Sequence, residues 1–192
     1  MDSRMDSMKE KLEAPWRLAE LRPDETMRTL GLRPDDCFCD IGAGTGIFIG
    51  AALALDCGKS YAVDTSETMR EYLAEYFEKP VREKKLIITR SLEDVPDASV
   101  DLALLCTVLH EADDKEALIR SLNRVLVPGG RAAVIEFRPE AVKGPPAGVK
   151  ISGRRLDEIM SGGGFSKAEN FLSGENLYGC TYRKEPGFTD LL

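Results

Sequence analysis

The segment best suited to chemistry is Asp40-Ile41-Gly42-Ala43-Gly44-Thr45-Gly46, where three glycines alternate with other residues directly after a short apolar run. Glycine tolerates positive φ, and without a Cβ it lets backbone N–H groups at the start of a following helix reach a ligand. A plain strand-to-helix turn is the alternative reading of such a cluster. Spacing narrows the choice of ligand. A dinucleotide fingerprint needs G-x-G-x-x-G to seat a pyrophosphate, and here Ile47 stands at the third glycine position. Asp40, just before the turn, would repel a pyrophosphate and attract an ammonium or a sulfonium. Asp64 ends a second apolar run about 20 residues past the turn, where a carboxylate can accept hydrogen bonds from both ribose hydroxyls, or else cap a helix ahead of Thr65 and Ser66. Together these features favour S-adenosylmethionine over a nicotinamide dinucleotide.

Methyl transfer from a sulfonium is a direct displacement that needs alignment and desolvation more than an elaborate apparatus. In open α/β sheets the ligand lies beyond the carboxyl ends of the strands, so the loops at 107–111 and 136–138 should face the reacting atoms. His110 is the only histidine. It could remove a proton from an acceptor near neutral pH, or it could be structural. Glu111 could orient His110 or touch substrate, and helix capping explains it equally well. Arg138 could bind an anionic substrate group or merely open an exposed loop. No metal is expected, because Asp97, Asp101, Asp113 and Asp114 fall around a strand and a helix cap, where ordinary turn chemistry accounts for them. Cys37 and Cys39 fit no zinc spacing, and the five cysteines are expected as buried thiols.

These residues must be positioned by elements that the hydrophobic pattern marks out. Short apolar runs at 37–41, 60–63, 86–89, 102–106 and 132–137 read as parallel strands buried on both faces. Between them, Phe48, Ala51, Ala52 and Leu55, then Met69, Tyr72, Leu73, Tyr76 and Phe77, then Leu118, Leu122, Val125 and Leu126 recur at helical spacing. Asp113 and Asp114 can cap the last of these helices, and Pro128-Gly129-Gly130 should end it. The stretch at 143–148 breaks regular structure, a helix follows near 156–160, and runs at 168–171 and 177–182 lie too close together for a helical crossover, which implies an antiparallel pair. The expected fold is α/β and Rossmann-like: a seven-stranded, mostly parallel sheet with an antiparallel edge pair and helices on both faces. Residues 1–23 form a lead-in whose Trp16, Leu18 and Leu21 could lie over the cofactor cleft as a lid or pack outside it. The main domain spans 24–184, and 185–192 is a tail.

With 33 acidic and 26 basic residues the formal net charge is −7, which disfavours nucleic acid and acidic membranes as partners. No run of about 18 apolar residues and no signal-type apolar core occurs, so no membrane insertion and a cytoplasmic location are expected. Oligomeric state is not legible.

The chain resembles the class I methyltransferases, especially the small members similar to ubiquinone and menaquinone C-methyltransferases. The likeness covers about residues 24–184 and rests on DIGAGTG at 40–46, AVDTSETM at 62–69, PDASVDLALLCTVLHE at 96–111 and LVPGG at 126–130. It implies S-adenosylmethionine as cofactor and S-adenosylhomocysteine as product. It also implies that Asp40, Gly42, Ala43 and Gly44 surround the methionine part, that Asp64 holds the ribose, that Thr65 or Met69 packs on the adenine, and that Cys106 belongs to the cofactor-facing set. Relatives commonly place an aspartate after the third strand, whereas this chain reads Arg90-Ser91-Leu92-Glu93. Ser91 can still accept a hydrogen bond, without the charge, while Leu92 can flank the purine. The acceptor implied is a small molecule. Protein methylation and cofactor binding without transfer are the alternatives, while Ile47 and Asp40 both count against a nicotinamide oxidoreductase.

Overall fold

Five short strands of apolar and β-branched residues make the centre of the molecule: β1 (Cys37–Ile41), β2 (Lys59–Val63), β3 (Leu86–Thr89), β4 (Val100–Cys106) and β5 (Leu126–Phe137). The computed structural model describes residues 3–186, so 187–192 of the expected tail lie outside the described residues. The helices are α1 (Ser3–Leu12), α2 (Pro15–Leu21), α3 (Pro23–Thr29), α4 (Ile47–Ala54), α5 (Glu67–Tyr76), α6 (Glu78–Arg82), α7 (Lys115–Val125) and α8 (Gly153–Gly162). Two last strands, β6 (Phe165–Ser173) and β7 (Leu177–Lys184), complete one seven-stranded sheet in the order β3-β2-β1-β4-β5-β7-β6. Strands β1 to β5 run parallel, and β7 is antiparallel to both β5 and β6. Only residues 174–176 join β6 to β7, a length that permits a hairpin and no crossover.

Successive side chains of a strand point to opposite faces, so each central strand serves two cores. Phe38, Leu102, Leu104, Ala133 and Ile135 face one side, where Met27 of α3, Phe48 and Ile49 of α4 and Leu73 of α5 cover them. Cys39, Ile41, Ala103, Leu105 and Val134 face the other, against Ile119 and Leu122 of α7 and Leu156 and Met160 of α8. Helix starts follow local chemistry. Ser66, Asp114 and Ser152 accept hydrogen bonds from the N–H of Met69, Ala117 and Arg155, while Pro15 and Pro23 open α2 and α3 without sacrificing a needed donor.

Pro128-Gly129-Gly130 does not separate α7 from the next strand as the sequence suggested. α7 stops at Val125, Leu126 already pairs with Val100, and pairing resumes at Arg131 with Leu102, leaving 127–130 bulged opposite Asp101 alone. Proline has no N–H for the ladder and Gly129 sits at φ +74°, so these residues loop outward within β5 rather than before it. The short helices α1, α3 and α6 carry no clear apolar period and are not evident from the sequence pattern.

Gly46, last glycine of the turn, packs against Leu73 and Phe77. It caps α4 at φ +77°, and a Cβ there would lie 2.7 Å from both Leu73 Cδ2 and Phe77 Cε2. Gly46→Ala is expected to lower the unfolding free energy by roughly 2–4 kcal/mol through left-handed strain plus overpacking. Urea titration followed by circular dichroism measures this, and a loss indistinguishable from zero would contradict the packing described.

Candidate functional site

The glycine turn is fastened to β2. Gly42 N and Ala43 N both donate to Val63 O, at 2.7 and 3.1 Å. Asp64 then closes the arrangement with both carboxylate oxygens: Oδ2 accepts from Gly44 N at 2.8 Å and Oδ1 from Ser66 N at 2.9 Å. A carboxylate has about four acceptor positions, so roughly two remain free for a ligand. The cap of α5 is Ser66, which leaves Asp64 as the tie between turn and strand rather than a helix cap.

Around this turn lies a cavity of about 900 Å³, near the upper end of the range of about 300–1,000 Å³ usual for small-molecule sites. Asp40, Gly42, Ala43, Gly44, Asp64 and Thr65 line one end of it. Met69, Ser91, Leu92 and Cys106 line its walls, and His110 and Glu111 also reach it. Ser91 Oγ accepts from Glu93 N at 3.2 Å and so caps the single 3₁₀ turn Leu92–Asp94. Its hydroxyl proton and one lone pair stay available.

At the carboxyl ends of β4 and β5 the sequence hides a pair. His110 Nδ1 lies 2.7 Å from Glu136 Oε2, and His110 N donates to Glu136 Oε1 at 3.1 Å. The Glu136 side chain is fully buried and that of His110 is 4% exposed. An ionised Glu136 keeps the proton on Nδ1 and leaves Nε2 as the basic nitrogen. Nε2 is 3.7 Å from Oε1 of the exposed Glu111, on the cavity side, and the Phe137 ring meets the imidazole edge-on at 5.7 Å. Glu136 lies within β5, inside the run at 132–137 expected as a strand, next to the last residue of that strand. Its signal was an acidic residue ending the apolar run Ala132-Ala133-Val134-Ile135.

Arg138 is not brought to the cavity. Its Nε donates to Gly174 O and its Nη2 to Ser173 Oγ, both at 2.8 Å, so the guanidinium is spent on the link between β6 and β7. Another arginine, not singled out from the sequence, is there instead. Arg17 of α2 reaches the cavity, 7% exposed, and donates from Nη2 to Thr107 Oγ1 at 2.8 Å. Lys11, Leu12 and Trp16 also line it from the N-terminal segment, and Lys143, Gly144 and Pro145 from the far side. Glu20 holds this segment in place by accepting from Asn176 N, Asn176 Nδ2 and Leu177 N. Among the described residues, no group of three or more His, Cys, Asp or Glu side chains could hold a metal ion, and no helix is long and apolar enough to cross a membrane.

A family model described as a methyltransferase domain matches residues 39–134, half of the chain. The ubiquinone/menaquinone biosynthesis C-methyltransferase of Teredinibacter turnerae is 30% identical over 126 residues, covering 58% of this chain and 47% of that protein. Its counterpart from Shewanella baltica is 29% identical over 117 residues with the same coverage. The chain thus spans about half the length of the curated relatives it matches. Among solved structures, a SAM-dependent methyltransferase from Aquifex aeolicus superposes with a TM-score of 0.83 at 26% identity, over 95% of this chain and 98% of that one. The [4+2]-cyclase SpnF shares the fold alone, with a TM-score of 0.74 at 18% identity over 88% and 82% of the two chains.

Electrostatics at the turn yields a pH dependence. Asp40 is 2% exposed, and burial, followed by the neighbouring Asp64 charge, pushes its carboxyl up to about 8 from the ordinary 3.8. A raised carboxyl favours the fold below its unfolded value, and that advantage is lost as pH rises through about 8. Removing the titration with Asp40→Asn should therefore stabilise the ligand-free protein increasingly from pH 5 upward, by up to about 1.4 kcal/mol per pH unit, before levelling off above pH 8. Paired urea unfolding at pH 5, 7 and 9 checks it; a difference independent of pH would show that Asp40 is already ionised.

Proposed function

The chain belongs to the methyltransferase-domain family, and on that footing we propose that it is an S-adenosylmethionine-dependent methyltransferase acting on a small-molecule acceptor. The observation that carries the proposal is that one cavity joins the Asp40–Asp64 turn to the His110–Glu136 pair. The donor set suits this cofactor. A buried carboxyl without a cation to balance it stands at the tip of β1, and a second carboxylate keeps free acceptor positions at the tip of β2. S-adenosylmethionine, when bound, supplies a methyl group made electrophilic by its sulfonium.

The protein's own residues do the rest. Asp40, once ionised, would face the cationic end of the cofactor, Asp64 would accept from the ribose hydroxyls, and Met69 and Leu92 would provide apolar walls for the purine. His110 Nε2 would take the proton that the acceptor loses on methylation. Glu136 stabilises the resulting imidazolium, and Glu111 gives that proton a way to solvent. S-adenosylhomocysteine is the other product. Walls from α1, α2 and residues 143–145 enclose the cavity, which supports a small acceptor over an extended peptide, and the net charge of −7 supports a partner other than nucleic acid.

Calorimetric titration with S-adenosylmethionine, S-adenosylhomocysteine and NAD tests the reading directly. Both adenosyl ligands should bind, NAD should not, and Asp64→Ala should weaken binding by about 1 kcal/mol or more. Because Asp40 must ionise to meet a cation, affinity should rise with pH up to about 8, and binding at neutral pH should release a proton, seen as a heat that varies with the buffer's ionisation enthalpy. Failure of both adenosyl ligands to bind would overturn the proposal.

The base assignment has its own measurement. With an acceptor found by screening, Glu136→Gln should lower kcat by about 100-fold or more and shift the pH–rate profile, while cofactor affinity stays put. A variant that keeps the wild-type pH profile would place Glu136 in a purely structural role.

A further inference from the structure

Arg17 raises a question that cofactor binding leaves open. Its guanidinium is more than nine-tenths buried, its Nε has no hydrogen-bond partner, and among the described residues no carboxylate forms an ion pair with it. The contacts it makes are weakly acidic or neutral: Thr107 Oγ1 at 2.8 Å and Cys106 Sγ at 3.7 Å, both from Nη2. A buried, unpaired cation is costly, and an apolar side chain of similar length would fill the same space without that cost. Asp40 does not answer it, since that carboxyl is raised by burial and by Asp64 with no relief from a neighbouring guanidinium. Arg17 and Asp40 thus both line the cavity without pairing with each other.

We infer that Arg17 is the anion-binding residue for the methyl acceptor, and that the acceptor carries a carboxylate or a similarly planar oxyanion. This rests on the transferase reading above. The guanidinium fork matches such a group through two parallel N–H donors. Position assigns it to the acceptor rather than to the cofactor. The N-terminal segment crosses the cavity, with Leu12 over the glycine turn, where a Cβ on Gly44 would lie 3.1 Å from Leu12 Cδ1, and with Lys11 beside it. Lys11, at this end of the cavity, is therefore the cation that meets the carboxylate of a cofactor lying along β1 and β2. Arg17, five residues past Leu12, sits at the tip of β4 on Thr107, in the same loop as His110. It stands in the part of the cavity where His110 would take the acceptor's proton, which places the acceptor's own anionic group within reach of the guanidinium.

Trp16, the only tryptophan, lines the same cavity and reports on it. Wild-type protein saturated with S-adenosylhomocysteine is titrated by Trp16 fluorescence with matched probes: benzoate against benzyl alcohol, and hexanoate against 1-hexanol. The acids should bind about tenfold or more tighter than their neutral partners, Arg17→Gln should erase the preference, and Arg17→Lys should keep part of it. S-adenosylhomocysteine affinity should change by less than about threefold in either variant. No acid preference in the wild type overturns the inference. So does a loss of about tenfold or more in S-adenosylhomocysteine affinity for Arg17→Gln with 5′-methylthioadenosine binding unchanged, since the anion held is then the cofactor's own. Should Arg17→Gln fail to fold by circular dichroism, the wild-type comparison of acid with alcohol and the Arg17→Lys variant still decide. Lack of any S-adenosylhomocysteine binding to the wild type would instead defeat the transferase reading and is read separately.

Discussion

Desolvation of charge at the carboxyl edge of the sheet is the constraint on which the rest of this structure turns. Parallel strands are buried on both faces, so a polar residue at the tip of β1 or β4 has only the ligand cavity to face. Asp40 and Arg17 are both placed there, each 7% exposed or less, with no mutual ion pair. Neither improves the empty protein. On the proposed reading each becomes favourable when a group of opposite charge arrives, which would concentrate binding free energy where chemistry is to occur. The Asp64 carboxylate shows the contrasting strategy: it is satisfied first by Gly44 and Ser66, and only its remaining acceptor positions are offered outward.

The cavity walls come from segments distant in sequence, and one loop ties them together. Asn176 donates to Glu20 of α2 through N and Nδ2, receives Arg138 N on its carbonyl, and receives Lys143 N on Oδ1. Arg138 adds its own bonds to Gly174 O and Ser173 Oγ. A side chain that looked suited to substrate therefore serves to fix the hairpin that positions α2 on one wall and residues 143–145 on the other. Gly144 belongs to the same fit, at φ +89° against the Phe137 ring, which in turn braces His110.

Legibility in the sequence followed the range of the interaction. Strand runs such as 37–41 and 86–89 and the cap at Asp114 depend on near neighbours, so periodicity and residue type suffice to place them. The glycine turn and Asp64 were legible because spacing alone encodes the βα turn. Glu136 was harder, since its meaning lies in a histidine 26 residues away, and Arg17 harder still, because its partner Thr107 is 90 residues distant. Arg138 misled for the same reason: a cation after a strand is consistent with substrate binding until the hairpin at 173–176 is placed beside it. The bulge at 127–130 depends on register against β4, which no local pattern conveys.

The likeness to both a SAM-dependent methyltransferase and a [4+2]-cyclase shows why the sheet by itself cannot name a reaction. What distinguishes one chemistry from another on this scaffold is the set of charges aimed into the cavity and the one nitrogen able to move a proton. On the proposed reading that nitrogen is His110 Nε2, whose ring partner Nδ1 meets a carboxylate wholly shielded from water. A neutral ligand would draw no advantage from a buried guanidinium held on Thr107, in the loop that carries His110. On the proposed reading an anionic acceptor would, because Arg17 would hold its standing charge while His110 takes the proton lost as the bond to the methyl carbon forms. The electrostatic layout therefore argues for proton-coupled group transfer more strongly than the fold does.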